Sequence, residues 1–213
     1  PEDKRNWLNA PWLITEFYLY RRLAEAFRFF ETGYDHFSSQ KVKGLLEALP
    51  SISDIASRLP TLLKNCEGVE DKKVAIEVAV LTSLWGNKMD LSLWPASSAK
   101  TDNDSGIEDS VNRINFGEAL NANKPYILDD HLADVVNTLS TCLPNDEQSV
   151  VDIVVDNAGY ELVSDMLLGH SLLSIGVCNK VRFHTKGMPT FVSDATNGDC
   201  SGTLHILSTS EDT

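Results

Sequence analysis

Two acidic residues and one amide in this sequence have the types and spacing for chemistry. Asp156 and Asn157 directly follow a β-branched apolar run, and Asp194 follows a second such run and its extended continuation. In open α/β sheets, ligands bind beyond the carboxyl ends of the strands, so we expect these side chains to converge. They would present hard oxygen ligands, which suit Mg²⁺ or Mn²⁺. The alternative is structural: Asp156 as a helix cap, Asn157 in a turn and Asp194 in a surface loop.

Several common catalytic and phosphate-binding motifs are absent from the sequence. It has no GxxxxGK[ST] phosphate loop, no GxGxxG turn after a strand and no HExxH pair. The run at 169–173 is similar to a lipase nucleophile turn, but it lacks the second glycine and falls late in a predicted helix. We therefore expect neither Ser171 nor His170 to be catalytic.

Composition narrows the class of protein. The 213 residues include 31 Asp and Glu against 18 Lys and Arg, which gives a formal net charge of −13. A nucleic-acid partner is disfavoured, because neutralising phosphates requires surplus basic residues. The sequence shows neither an apolar stretch of about 18 residues nor a signal peptide, so we expect an intracellular, cytoplasmic protein without a membrane partner. The four cysteines lack metal-ligand spacing and are expected to be reduced thiols.

The first part of the chain has helical periodicity. In residues 11–30, aromatic and apolar residues recur every three or four positions, which predicts a helix with an aromatic stripe packed on the core. Glu16 interrupts this stripe, so it either pairs with Arg21 or Arg22 or points into a site. Further helices are predicted at 40–63, 71–85 and 129–142, and residues 95–108 read as a polar loop.

The second part changes to an α/β pattern. Residues 149–156 are β-branched and apolar, as in a strand buried on both faces, and 180–184 is a second strand. Residues 159–175 form a helix between them, with a predicted buried set of Leu162, Met166, Leu167, Leu173 and Ile175. This βαβ unit predicts a parallel sheet with a right-handed crossover. Residues 190–193 are expected to be extended, and no strong core pattern follows Asp194.

Several separated blocks of the sequence carry a family resemblance. They are NWLNAPW at 6–12, DHF at 35–37, LWGNKMDLSL at 84–93, VVDNAGYELVSD at 154–165, HTK at 184–186 and FVSD at 191–194. In this order they resemble the metal-dependent damage-control phosphatases of the acidic-residue methyltransferase-like branch. The resemblance implies an α/β protein: a helical N-terminal domain, residues 1–145, packed on the first part of a Rossmann-like α-β-α domain, residues 146–213. We expect the C-terminal strands to lie outside this chain.

The resemblance also implies a reaction. Family members hydrolyse phosphomonoesters, notably fructose 1-phosphate and fructose 6-phosphate, with one divalent metal that is usually Mn²⁺, Co²⁺ or Ni²⁺, with Mg²⁺ a further candidate. Carried over by motif, Asp156, Asn157 and Asp194 are the metal ligands and catalytic residues. Lys186 is the cation expected to meet the substrate phosphate. Glu161 matches a position linked to S-adenosylmethionine in relatives credited with glutamate carboxyl methylation.

Two alternatives to a phosphatase remain open: a carboxyl methyltransferase, and a non-catalytic fragment or interaction module. A metal held by oxygen ligands favours the hydrolase, because it neutralises the charge that builds up in phosphoryl transfer, and no glycine-rich cofactor turn follows a strand. Water attack and an Asp156 phosphoenzyme are both open. Glu16, Asn87 and Asp90 are polar residues in apolar motifs that either contact the substrate or serve as buried structural polar groups.

Overall fold

The computed structural model describes residues 6–64, 66, 68–86, 124–141 and 149–210. The chain forms seven α-helices and two strands in these ranges, with a short 3₁₀ helix at Lys124–Tyr126. The elements in chain order are α1 Trp12–Ala26, α2 Phe29–Thr32, α3 Ser38–Leu63, α4 Val69–Leu84, α5 Leu132–Thr141, β1 Val150–Val154, α6 Tyr160–Ser174, β2 Lys180–His184 and α7 Asn197–Thr209.

The largest core cluster joins the helical part of the chain to the sheet. Helix α4 packs against both α5 and α6. Apolar side chains from these helices and from the segment after α6 meet there, namely Ala75, Ile76, Val136, Leu172, Ile175, Val177 and Cys178. Removing the apolar surface of these side chains from water is the main favourable contribution to packing the helical part of the chain against the sheet. The predicted division at residue 145 stays a prediction.

The sheet confirms the predicted parallel pairing. β1 pairs with β2 in register from Val150 opposite Lys180 to Val154 opposite His184. Helix α6 connects the two strands, and its Leu162 is fully buried against Val155 and Ala195. The described structure is thus α/β and mostly helical with a small parallel sheet, whereas the larger Rossmann-like arrangement stays a prediction.

The prediction that β1 is buried on both faces is wrong. Val154 is 80% exposed, and Asp152 lies on the open face, where it pairs with Arg182 and His184 of β2. The reason is that α6 contacts both strands while the alternate side chains of β1 point away from the buried face. In α6, Leu173 was also predicted to be buried and is 43% exposed.

The aromatic stripe of α1 is more open than predicted. The helix ends at Ala26, before a left-handed residue, Arg28 (φ 58°). Trp12 is 67% exposed and Phe30 is 50% exposed, and Ala24 is the buried apolar residue of α1. Part of the stripe still makes contacts, because Phe17 and Tyr20 pack on a distant ring, Phe191.

Two expectations near Asp194 are corrected. Residues 190–193 are not an extended piece, because Phe191 (φ 47°) and Val192 (φ 62°) both have left-handed backbone conformations. The following residues do form structure, since α7 begins at Asn197 behind a capping box in which Thr196 and Asp199 satisfy each other's backbone N–H groups. Beyond the cap, Ile206 and Leu207 of α7 pack on the core of the chain.

No helix in the described part of the chain combines the length and apolar character needed to cross a membrane. The cytoplasmic location stays a prediction.

Truncating Leu162 should be far more costly than truncating Leu173 on the same helix. Leu162 is fully buried, so Leu162→Ala should lower the free energy of unfolding by about 2–5 kcal/mol. Leu173 is 43% exposed, and Leu173→Ala should cost less than about 1 kcal/mol. Urea unfolding followed by circular dichroism measures both. Equal losses would contradict the packing of α6.

Candidate active site

The chain brings the three predicted ligands together through backbone pairing just beyond the sheet. The ladder continues one residue past β1, where the Val155 N–H donates to the His184 carbonyl at 3.1 Å. Asn157 then forms an antiparallel bridge with Asp194, and the Ala195 N–H donates to the Asp156 carbonyl at 2.8 Å. The expected convergence at the carboxyl ends of the strands is therefore present.

Lys186 lies between the two carboxylates of this cluster. Its Nζ is 2.6 Å from Asp156 Oδ1 and 3.7 Å from Asp194 Oδ2. The Asp156 side chain is 65% exposed and the Asp194 side chain is 9% exposed. One carboxylate therefore faces an incoming ligand, while the other forms the floor of the site.

Asn157 links this cluster to Glu161 in the first turn of α6. Its Nδ2 donates to Asp156 Oδ2 at 3.2 Å and to Glu161 Oε2 at 2.9 Å. Its Oδ1 accepts a hydrogen bond from the Ser193 hydroxyl at 2.7 Å. These three contacts fix the amide in its plane, with Nδ2 toward Asp156 and Glu161 and Oδ1 toward Ser193.

Burial and crowding shift the acid–base properties of the site. Burial raises the pKa of the Asp194 carboxyl, although the charge of Lys186 opposes this. Burial likewise raises the pKa of Glu161, opposed by its hydrogen bond from Asn157. Burial disfavours the charged form of Lys186, yet its hydrogen bond to Asp156 and the charge of Asp194 raise its pKa overall. A bound cation would oppose the rise at both carboxyls.

The donor set fits a hard divalent cation. Asp156, Asp194 and Asn157 supply two carboxylates and an amide oxygen, which Mg²⁺ and Mn²⁺ accept. Lys186 occupies a position between the carboxylates, so the geometry already accommodates a positive charge there. Within the described ranges, no group of three or more His, Cys, Asp or Glu side chains forms a metal cluster. A site built here therefore needs the amide of Asn157 and further ligands from solvent or substrate.

A second buried carboxyl, which the sequence interpretation missed, lies one helical turn beyond Glu161. Asp165 is 8% exposed, and Ser83 of α4 donates a hydrogen bond to its Oδ1 at 2.5 Å. Burial raises the pKa of Asp165 to about 6, the hydrogen bond from Ser83 opposes this, and the charges of Glu161 and Asp156 add to the rise. The spacing of two acidic residues four apart in an apolar helix was the available signal.

Lys41, which no sequence pattern singles out, contacts the loop that carries Asp194. Its side chain is 3% exposed, and its Nζ donates to the main-chain carbonyl of Asp194 at 2.7 Å. Two carboxylates, Asp35 and Asp199, accept from the same ammonium at 2.8 Å each. No local sequence pattern predicts such a contact, because Lys41 and Asp194 are 153 residues apart.

The remaining candidate residues are not brought to this site by any observed contact. Glu16 is half-buried on α1, and both arginines proposed as its partners pair with Glu25 instead. Asn87 and Asp90 lie outside the described residues. Their substrate-binding roles stay predictions.

A cavity of about 690 Å³ lies next to the acidic cluster. Helices α3 and α7 form two of its walls, and Thr185, Lys186 and Gly187, which follow β2, also line it. The three predicted ligands do not line it. Lys186 therefore borders both the cavity and the carboxylates.

The fold and the site define an α/β protein with an acidic, hard-oxygen cluster at the ends of two parallel strands. Comparison with known proteins gives this class a family. The profile of the damage-control phosphatase ARMT1-like domain matches residues 3–212, so the chain belongs to that family.

Curated relatives agree with the profile. The chain is 33% identical over 210 residues to a protein of Xenopus laevis named damage-control phosphatase ARMT1, which covers 95% of this chain and 45% of the relative. Proteins of the same name from Macaca fascicularis and Homo sapiens are 35% and 34% identical over 207 residues, covering 93% of this chain and 44% of each relative. The chain thus spans less than half the length of these relatives.

Neutralising Asp165 should stabilise the protein increasingly as the pH rises from about 4 to 6. The pKa of its carboxyl is 3.8 when unperturbed and about 6 in the fold. The folded state therefore keeps this proton to a higher pH than the unfolded state, and the free energy of unfolding of the wild type falls as pH rises from about 4 to 6. At about 1.4 kcal/mol per unit, Asp165→Asn should gain up to about 3 kcal/mol above pH 6. Unfolding by urea between pH 4.5 and 7.5 measures this.

Glu47→Gln is the control, because Glu47 on α3 has a 68% exposed side chain and pairs with Lys43. Its effect should not depend on pH in this way. A stability difference for Asp165→Asn that stays constant across the range would contradict the burial of an ionisable carboxyl here.

Proposed function

We propose that this protein is a metal-dependent phosphatase that hydrolyses phosphomonoesters of sugars, of the fructose 1-phosphate or fructose 6-phosphate type. One observation carries the proposal: Asp156, Asn157 and Asp194 converge beyond two parallel strands, around a lysine, in a chain of the damage-control phosphatase ARMT1-like family. Such a cluster has carboxylates for a metal and a cation for a phosphate.

Asp156, Asn157 and Asp194 would hold the metal, with Mn²⁺ the favoured ion and Co²⁺, Ni²⁺ or Mg²⁺ as candidates. When bound, a divalent ion supplies positive charge for the phosphoryl oxygens and lowers the pKa of a water ligand. The protein contributes the positioning: Ser193 and Glu161 fix the amide plane of Asn157. The partial burial of Asp194 limits competition from bulk water.

Lys186 is the residue we assign to the substrate phosphate. Its ammonium hydrogen-bonds to the exposed Asp156 carboxylate, and a phosphate oxygen offers an equivalent charged acceptor at the same place. Asp156 is also the more accessible carboxylate. It is therefore the candidate nucleophile if the reaction passes through a phosphoenzyme, and attack by water is the alternative.

The main rival is a carboxyl methyltransferase that uses S-adenosylmethionine. Glu161 is the residue linked to that alternative, but here it accepts a hydrogen bond from Asn157. That contact gives Glu161 a role in orienting a candidate metal ligand. It favours the phosphatase.

Removing either carboxylate of the cluster should abolish metal-dependent phosphatase activity. We expect Asp156→Asn and Asp194→Asn to lower kcat/KM for hexose phosphates with Mn²⁺ by at least about 10²-fold, because the lost charge stabilises the transition state. Asp152→Asn is the matched control: Asp152 lies on β1, the strand that precedes Asp156, but its carboxylate pairs with Arg182 and His184. Its activity should stay near that of the wild type.

Activity retained in both site variants would reject this assignment. Calorimetry with S-adenosylmethionine separates the rival function, since binding of that molecule without phosphatase activity would favour the methyltransferase. Absence of both activities in the folded protein would favour the third alternative, a non-catalytic fragment or interaction module.

The cavity beside Lys186 is where we place the organic part of the substrate. Gly202 of α7 lines this cavity, and a Cβ added there would meet no atom within 4 Å. Gly44 of α3 has the same open surroundings but does not line the cavity. These two helical glycines therefore form a matched pair for filling experiments.

Filling the cavity should weaken substrate binding without unfolding the protein. Gly202→Leu should raise KM for a hexose phosphate about tenfold, the factor that corresponds to ~1.4 kcal/mol of lost binding. Gly44→Leu should leave KM unchanged. Both changes should slightly raise the melting temperature, since leucine favours helix over glycine. Equal KM values in the two variants would move the sugar elsewhere.

A further inference from the structure

The ammonium of Lys41 is the most completely buried charge near the candidate site. Its side chain is 3% exposed, and its three N–H donors have three acceptors within 2.8 Å. Removing an ammonium from water is costly unless such partners surround it. With all its donors used, Lys41 has none left for a substrate.

The acceptors of Lys41 come from three separate segments. Asp35 precedes α3, Asp199 lies in the first turn of α7, and the third acceptor is the main-chain carbonyl of Asp194. The same oxygen of Asp199 also accepts from the N–H and the hydroxyl of Thr196. One carboxylate therefore joins Lys41 to the cap of α7, and the backbone between Asp194 and Asp199 is held at both ends.

The turn before Asp194 has an unfavourable backbone. Phe191 and Val192 are consecutive non-glycine residues with φ of 47° and 62°, and a β-branched residue is rare in this region. Such conformations persist only where surrounding contacts enforce them. The ring of Phe191 packs on Phe17 and Tyr20 of α1, at centroid distances of 5.0 and 5.2 Å. The helical part of the chain thus contacts the backbone before Asp194 through Phe191, and at Asp194 itself through Lys41.

We infer that Lys41 is a positioning residue for the metal site: by binding the Asp194 carbonyl, it holds the carboxylate of Asp194 in place for the metal. The inference rests on the proposed function, in which Asp194 is a metal ligand. The main-chain carbonyl of Asp194 accepts a hydrogen bond from Lys41, while the carboxylate oxygen Oδ2 of Asp194 lies 3.7 Å from Lys186 Nζ. Fixing the backbone on one side leaves the carboxylate free to serve the site on the other.

The test compares metal affinity in variants of Lys41. Lys41→Met should raise the Mn²⁺ Kd 10–100-fold, the usual effect of losing a group that orients a metal ligand. Titration followed by electron paramagnetic resonance of Mn²⁺ measures this without turnover. Lys43→Met is the control, because Lys43 lies on the same helix with a 76% exposed side chain and pairs with Glu47. Its Kd should match that of the wild type.

Two further variants separate positioning from folding. Lys41→Met alone leaves Asp35 and Asp199 as partly buried carboxylates that have lost their ammonium partner. The triple variant D35N/K41M/D199N removes those charges, while each asparagine can still accept a hydrogen bond. It should regain melting temperature but not Mn²⁺ affinity. Lys41→Arg keeps the charge, but its planar fork cannot reach three acceptors around one point. It should fold and bind Mn²⁺ more weakly than the wild type.

The outcomes are distinct for the inference and for the proposed function. The role of Lys41 alone would be overturned by wild-type Mn²⁺ affinity in the folded triple variant. If only Lys41→Arg folds, wild-type Mn²⁺ affinity in that variant would overturn the role in the same way. Absence of Mn²⁺ binding by the wild-type protein would overturn both. Wild-type Mn²⁺ binding without phosphatase activity would reject the proposed reaction, and a weakened Kd in the variants would still support the positioning role.

Discussion

The buried ammonium of Lys41 is the interaction on which the arrangement of the site depends. It joins α3 to the start of α7 and to the carbonyl of Asp194, with donor–acceptor distances of 2.7–2.8 Å. A charge buried this deeply tolerates little displacement of its partners, because each lost hydrogen bond leaves a desolvation cost uncompensated. The contact therefore fixes the distance between the helical part of the chain and the loop beyond the sheet. Hydrophobic packing around α4 stabilises the same assembly but is not directional.

The acidity of the chain has a local counterpart in the site. Asp156, Asp194 and Glu161 lie in one network with Lys186, and the sequence as a whole carries a formal charge of −13. An anionic substrate would be repelled by such a cluster unless a cation were added. Burial raises the pKa of the two less exposed carboxyls, Glu161 and Asp194, and the charge of Asp156 adds to the rise, whereas Lys186 opposes it. A divalent metal is the cation that we propose for this site, and the absence of a nucleic-acid partner stays a prediction.

Local patterns predicted the parts of the fold that depend on neighbouring residues in the sequence. Both strands and α6 lie within the predicted ranges, and the position of Asp156 and Asn157 follows from the end of β1. The errors concern what covers an element. Val154 and Leu173 are exposed because burial depends on which face has a neighbour, and α7 was missed because its capping box, rather than an apolar period, marks its beginning. The turn at Phe191 and Val192 was missed because no local preference predicts a left-handed valine.

The sequence by itself determined the chemistry available: which carboxylate and amide groups follow the strands, that the strands pair in parallel, and which family motifs the chain carries. Only the tertiary structure decided which charges meet. It placed Lys41 on the carbonyl of a residue 153 positions away, Ser83 on the buried Asp165 and Lys186 between two carboxylates. The physical reason is that hydrophobic periodicity repeats along the chain and can be read locally. A hydrogen bond between distant segments is a single directional contact, and its partners are fixed only when the whole core has packed.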